Sequence, residues 1–439
     1  NFDYNKELDS YFKGSRLVDT NNDQYQNLNQ KQRNMLKQQQ KQNRPNKPFY
    51  LVYNEDAIQK LPYKAEMKKV STHMNIEVFS FLPCPAINLI NDSYQSIKNT
   101  ADPSLVSDFL QSNPYYPEAL YDLGEYFRLN GNAKNANFLL EKLIYFFEES
   151  FVFNFPILKN EESLVVLDYN ANMLNQIFFR AILKFILILY QKACYKSSFE
   201  FCKLLLKLNP YDDPVGALIM IDFTALNAFK YNWLIKFTKE FAEFYNGNNY
   251  SILLYPNFIY SYSLSLFKNN STTLKDLENK VNMLSVEEIE ELKMLKLNKE
   301  NENPAYWMSL AIILYPDIMK QILELNEFDK QNTSLSFMSG NQLKPWSEIF
   351  NSQLFSSKNS QKMLYKSLNI KTKEDVEGIR KIISIYPERN RMNWKDSSLS
   401  LFLKIVSGEL LNKLNLVELN LDTVFSILEN DSNDIPINN

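Results

Sequence analysis

Apolar residues recur at helical spacing along most of the chain, and turn-forming residues separate these runs. Between Lys196 and Phe244 the pattern predicts three consecutive helices. The first helix ends at Asn209-Pro210, because the residue before a proline is pushed out of the α region. Asp212 or Asp213 is expected to cap the second helix, with Pro214 at its first position. This order of helix, Asn-Pro turn and helix is typical of an α-solenoid.

Two further stretches follow the spacing of tetratricopeptide units. In the first, residues 117–147 form two apolar runs separated by the turn Asn130-Gly131-Asn132. Gly124 is expected to let the two helices approach each other. Residues 182–210 repeat the same register. The predicted fold class is therefore all-α: a tetratricopeptide-like α-α superhelix, or solenoid, with an extended basic amino-terminal arm.

Composition and turn signals divide the chain into successive segments. Pro83-Cys84-Pro85 should hold its neighbourhood extended, and residues 151–173 read as an irregular excursion between the first two units. The predicted segments are a short amphipathic helix (1–20), a basic polar linker or arm (21–69), an extended segment packed on the solenoid (70–100), tetratricopeptide-like helical repeats (101–327), a loop (328–345) and a C-terminal helical region (346–430).

Positive charge is concentrated near the amino terminus. Between Lys31 and Lys69 there are ten lysines or arginines and three acidic residues, a local charge of +7. Because the whole chain carries −3, the remainder carries −10. The segment is either a solvated linker or an arm that contacts the phosphates of a nucleic acid, where cations gain by displacing counterions. The nucleic-acid-binding candidates are Lys31, Arg33, Lys37, Lys41 and Arg44.

Residues that build catalytic and metal sites are scarce. The chain has one histidine, three cysteines and eight glycines, and it lacks GxxxxGK[ST], GxGxxG, CxxC and HExxH motifs. We therefore expect no catalytic residue, no cofactor and no metal site. Cys194 and Cys202 lie in apolar helical patterns and are predicted to be buried thiols. The apolar run Ile177–Tyr190 is short and contains two charged residues, so it predicts a buried helix and no membrane partner.

A family resemblance appears in the same central stretch. Its elements are Cys202-Lys203-Leu204-Leu205, Pro210, Asp212-Asp213-Pro214, Ile219-Met220-Ile221-Asp222 and Tyr231 with Leu234-Ile235. Together they resemble the signature of the transcription factor 25 family, also called the ribosome quality control complex subunit 1 family. A second element near the amino terminus is similar to that family too, and consists of Asn5, Glu7, Leu8, Phe12, Gly14 and Arg16.

The resemblance implies a binding scaffold rather than an enzyme. In this family the expected partners are the large ribosomal subunit, a listerin-type E3 ligase, ubiquitin and a p97-type ATPase. The family promotes ubiquitination and extraction of nascent chains on stalled, split ribosomes in the cytoplasm. The alternative is a nuclear transcriptional regulator that acts as a helical-repeat interaction module.

Four residues are candidates for partner binding. Leu8, Phe12 and Arg16 belong to the amphipathic helix, which is either a docked strut or a partner-binding peptide. Asp222 lies in mid-helix among apolar residues, so it is either a buried, hydrogen-bonded carboxylate or a groove residue that meets a partner.

Overall fold

The computed structural model of the protein describes Glu7 and residues 51–52, 61–73, 76–152, 155, 164–244, 252–269, 301–328, 344–352 and 373–416. The chain divides into two compact units, Asn1–Thr224 and Ala225–Asn439. The described residues form 14 helices and one three-stranded sheet, which confirms the predicted all-α, solenoid-like fold class.

In the first unit, helices that follow one another in sequence pack against each other. They are α1 (Pro85–Lys98), α2 (Pro103–Ser112), α3 (Pro117–Leu129), α4 (Ala133–Glu149), α5 (Met173–Gln191) and α6 (Tyr195–Leu208). The first three of these helices open with a proline, whose fixed φ suits the first helical position. Asp102 caps α2, because its carboxylate accepts a hydrogen bond from the Ser104 amide.

Three helix-to-helix turns share one backbone geometry. In each, a three-residue link has a left-handed middle residue, with φ of +75° at Gly131, +58° at Ala193 and +55° at Phe229. In each, the last residue of the link donates its amide to a carbonyl five residues back, as Cys194 does to Leu189. This satisfies carbonyls at the helix end that otherwise lack a partner. The turn predicted at Asn130-Gly131-Asn132 is one of the three.

A small sheet lies in the part of the first unit predicted to be extended. Strand β1 (Glu66–His73) pairs antiparallel with β2 (Ile76–Leu82), and β2 pairs parallel with β3 (Leu164–Leu167). Within residues 70–100 the chain forms the end of β1, strand β2 and helix α1, and the stretch 151–173 contains β3. The sheet packs on the helices through Phe81, whose ring lies 4.8 Å from that of Phe147 and 5.5 Å from that of Phe178.

Helix α7 (Ala217–Asn227) begins later than predicted and crosses the division between the two units. Pro214 is not its first residue. The Asp213 carboxylate instead reaches forward and accepts hydrogen bonds from the amides of Ala217 and Leu218, both at 2.7 Å. Gly216, with φ of +73°, makes the intervening turn. Asp213 therefore is the helix cap that the acidic pair was predicted to supply.

The second unit is built around two helices that are buried on all sides. They are α9 (Pro256–Asn269), buried from Pro256 to Phe267, and α10 (Pro304–Leu314), buried throughout. The surrounding helices are α8 (Tyr231–Phe244), α11 (Pro316–Leu325), α12 (Trp346–Phe350), α13 (Lys373–Asn390) and α14 (Ser397–Leu416). Most of the predicted loop at 328–345 and all residues after 416 lie outside the described part of the chain.

Helix α5 contains the most apolar run of the sequence. By length and composition it is able to cross a membrane, but 61% of its most apolar window is buried inside the protein. It contacts α3, α4, α6 and β2. This agrees with the predicted buried helix in the core of the first unit.

Candidate functional site

The first turn of α6 is capped by a residue near the amino terminus of the chain. The residue before the helix, Cys194, makes no side-chain capping bond. The Glu7 carboxylate instead accepts hydrogen bonds from the Lys196 amide at 2.8 Å, the Ser197 amide at 2.7 Å and the Ser197 hydroxyl at 2.8 Å. Glu7 is only 8% exposed. A negative charge at a helix amino terminus is stabilised by the helix dipole.

A second carboxylate holds the chain within the basic segment. Glu148, near the end of α4, accepts hydrogen bonds from the amides of Leu51 at 2.9 Å and Val52 at 3.4 Å. All three residues are buried. Glu7 and Leu51, the described residues on either side of positions 8–50, therefore both contact the first unit.

Of the residues predicted to bind nucleic acid, none lies in the described part of the chain. Lys31, Arg33, Lys37, Lys41 and Arg44 all fall within residues 8–50. Their role remains a prediction from the sequence.

Two other cations of the basic segment, Lys68 and Lys69, lie on strand β1. Each forms an ion pair with a glutamate, Glu66 and Glu77 respectively. Glu66 is already counted in the local charge of +7, and Glu77, which lies outside the segment, offsets one further positive charge.

Of the four predicted partner-binding residues, one lies in the described part of the chain. Leu8, Phe12 and Arg16 lie outside the described residues. Asp222 is described, and only 1% of it is exposed on α7. Burial of this extent favours the alternative of a carboxylate held within the chain over that of a groove residue open to a partner. Glu7 and Glu148, by contrast, were not among the predicted site residues.

Ion pairs join α1 and α5 to α3. Lys98 of α1 pairs with Glu118 at 2.6 Å, and Lys184 of α5 pairs with Glu125 at 2.8 Å. Glu125 also accepts two hydrogen bonds from Arg128. The hydrogen bond from Arg128 holds the pKa of the Glu125 carboxyl below its usual range, even though burial acts in the opposite direction. These pairs fix the relative positions of neighbouring helices.

Buried hydroxyls in the second unit donate hydrogen bonds that join elements of its core. Tyr260 donates to the Tyr315 carbonyl at 2.8 Å, and Tyr315 donates to the Leu254 carbonyl at 2.5 Å. Burial raises the pKa of both phenols well above the usual value, so they remain protonated donors. Ser263 likewise donates to the Pro304 carbonyl at 2.8 Å, which links α9 to α10. These hydroxyls hold elements together.

The described residues contain no group of three or more histidine, cysteine, aspartate or glutamate side chains that could hold a metal ion. Cys194 and Cys202 are buried, as predicted. Burial raises the pKa of the Cys194 thiol to about 11, so it is a poor nucleophile at neutral pH.

Comparisons with known proteins agree with the signature in the central stretch. Residues 79–434 match the family described as transcriptional repressor TCF25. Ribosome quality control complex subunit TCF25 of Homo sapiens is 28% identical over 201 residues, which are 46% of this chain and 28% of that protein. Ribosome quality control complex subunit 1 of Schizosaccharomyces pombe is 25% identical over 202 residues, 46% of this chain and 29% of that protein.

A third relative has a different name: the probable transcription factor claV of Ampulloclitocybe clavipes is 31% identical over 143 residues, 33% of this chain and 18% of that protein. The matched part of this chain thus spans less than a third of the length of these relatives. No solved structure matches the chain. Because the family match extends over most of the sequence, from residue 79 to residue 434, the chain belongs to the TCF25 family.

Proposed function

We propose that this chain is a non-enzymatic scaffold subunit of a ribosome-associated quality control complex. The observation that carries the proposal is its membership of a family in which relatives from Homo sapiens and Schizosaccharomyces pombe are named as subunits of that complex. The relatives' names describe complex subunits or transcription factors, not enzymes. Consecutively packed helices suit this role, since stacked helical repeats present extended binding surfaces.

The proposed partners are those of a complex acting on stalled nascent chains. They are the large ribosomal subunit, a listerin-type E3 ligase, ubiquitin and a p97-type ATPase. The scaffold brings the ligase and ubiquitin together on the large subunit, which promotes ubiquitination and extraction of the nascent chain. This places the protein in the cytoplasm, associated with ribosomes. The tetratricopeptide-like character of the repeats belongs to the same proposal, and the shared turn at Gly131, Ala193 and Phe229 supports it.

The basic arm is the proposed contact with ribosomal RNA. Each phosphate that a lysine or arginine neutralises should steepen the salt dependence of binding by about 0.7–0.9 log units per log unit of salt. Replacing Lys31, Arg33, Lys37, Lys41 and Arg44 together with glutamine should weaken binding to the large subunit at low salt and flatten this slope.

Co-sedimentation of wild type and the five-fold variant with large subunits over a salt series tests this contact. Circular dichroism should show the same helix content for both chains. Equal affinities and equal slopes would show that the arm is only a solvated linker.

The second candidate function is that of a nuclear transcriptional regulator. It is favoured by the description of the matching family as a transcriptional repressor and by the name of the claV relative. It predicts that the protein associates with chromatin and sediments free of ribosomal subunits. Fractionation of cells into nuclear and cytoplasmic extracts separates the two functions.

A further inference from the structure

The contact between Glu7 and α6 is a bound carboxylate at a helix amino terminus that has no local cap. Its three hydrogen bonds come from Lys196 and Ser197, and Ser197 is only 2% exposed. The first amides of a helix have no acceptor within the helix. If Glu7 left this position, the Ser197 amide and hydroxyl would lose their partner in a buried place, which is costly.

The cost of separation applies to Glu7 as well. A carboxylate that is 8% exposed is unfavourable unless hydrogen bonds satisfy it. Here both carboxylate oxygens accept: one bonds Lys196, and the other bonds the amide and hydroxyl of Ser197. The two sides of the contact therefore depend on each other, although they are 189 and 190 positions apart in sequence.

We propose that the amino-terminal segment around Glu7 is an intramolecular ligand of the helical repeats, seated on the start of α6. Its occupant is this chain itself, because the carboxylate of Glu7 fills the position that a local capping residue normally occupies. Of the two alternatives for residues 1–20, this assigns the docked strut. Leu51 and Val52, bound to Glu148, supply the second fixed point on the same unit.

This docking has a consequence for binding by the basic arm, and that consequence rests on the proposed function. The described residues on either side of the arm, Glu7 and Leu51, are both held on the first unit. In general, a segment tethered at both ends loses fewer conformations on binding than one tethered at a single end. Docking of Glu7 should therefore strengthen binding to the large ribosomal subunit even though Glu7 itself repels phosphate.

Hydrogen exchange of the full chain tests the docking directly. The amides of Lys196 and Ser197 lack an intrahelical acceptor, so any protection they show reports on Glu7. We expect Glu7→Ala to raise their exchange rate about fivefold or more, as for loss of a typical helix cap. A peptide covering α3 should exchange as in wild type, because it lies outside the contact.

The matched control is Glu200→Gln, which also removes one negative charge. Glu200 lies on α6 and pairs with Lys203 at 3.0 Å. The Glu200→Gln substitution should leave the hydrogen-exchange rates of the Lys196 and Ser197 amides unchanged. If Glu7→Ala does not fold, Glu7→Asp retracts the carboxylate by one methylene and should give the same contrast with the control. Equal exchange in wild type and the Glu7 variants would overturn the proposal.

Binding to large ribosomal subunits then separates this proposal from the proposed function. The expected result is weaker binding by Glu7→Ala than by Glu200→Gln, at equal net charge. Equal binding by the two variants would overturn the link between docking and the arm. If wild type shows protected amides but no binding to the subunit, the proposed function fails while the docking stands.

Discussion

Substitution of Gly124 tests the packing of the hairpin formed by α3 and α4. A Cβ atom added at this position would lie 3.5 Å from Leu140 Cγ and 3.6 Å from Leu139 Cβ, which are ordinary contact distances. The glycine thus faces side chains of the neighbouring helix α4. Space exists for one methyl group and no more.

Two substitutions should therefore act in opposite directions. Gly124→Ala should stabilise the protein by about 0.5–1 kcal/mol, because alanine loses less conformational freedom than glycine in a helix. Gly124→Leu adds three further carbons against Leu139 and Leu140, and overpacking of this kind costs about 1–3 kcal/mol.

Gly378 provides the control, since it lies inside α13 and no described atom lies within 4 Å of an added Cβ. At that position alanine and leucine should both stabilise by up to about 1 kcal/mol.

The assay is urea unfolding followed by circular dichroism, with wild type and four variants measured side by side. The account predicts that the Gly124→Leu variant has a free energy of unfolding about 2 kcal/mol or more below that of Gly124→Ala. The corresponding difference between the two variants at position 378 should be far smaller. Thermal melts should agree, at roughly 2–4 °C per kcal/mol for a unit of this size. If leucine is as well tolerated at position 124 as at position 378, the described packing of α3 on α4 is incorrect.

Three further predictions follow from single residues. Glu125→Gln should cost at most about 1 kcal/mol at neutral pH. Because the folded pKa of Glu125 is lowered, that difference should shrink as pH falls below the ordinary glutamate pKa of about 4.3 and vanish once the pH is below the folded pKa, as urea unfolding across pH can measure; a gap that persists at the lowest pH would contradict it. Cys84 should react with a maleimide in the native chain, whereas Cys194 and Cys202 should react only on unfolding, as mass spectrometry can show. Ala193→Gly should raise stability by about 0.5–1 kcal/mol by relieving a left-handed conformation, and a lower melting temperature would contradict it.

Several helix boundaries of the described residues follow local signals in the sequence. Asp102-Pro103 and Asn303-Pro304 mark the starts of α2 and α10, and α6 ends at the residue before Asn209-Pro210. These signals succeed because capping and proline sterics act over a few residues. The start of α7 was missed because Asp213 reaches over four residues, through the left-handed turn at Gly216, to find its amides.

Long-range contacts could not be predicted in the same way. Strand β2 pairs with β3 through Ile76 and Leu164, and the turns between them give no local sign of this partner. The Glu7 cap is a similar case, because nothing near Cys194 reveals that a residue from the amino terminus will complete it. The basic arm was found from charge alone, and its five candidate nucleic-acid-binding cations lie outside the described residues.

Sedimentation of the tagged chain from cell extracts through a sucrose gradient tests the central claim most directly. The account predicts that the protein migrates with large ribosomal subunits at low salt and returns to the light fractions as salt is raised. A folded chain that remains in the light fractions at every salt concentration, and that is recovered instead with chromatin, would contradict the account and favour the transcriptional alternative.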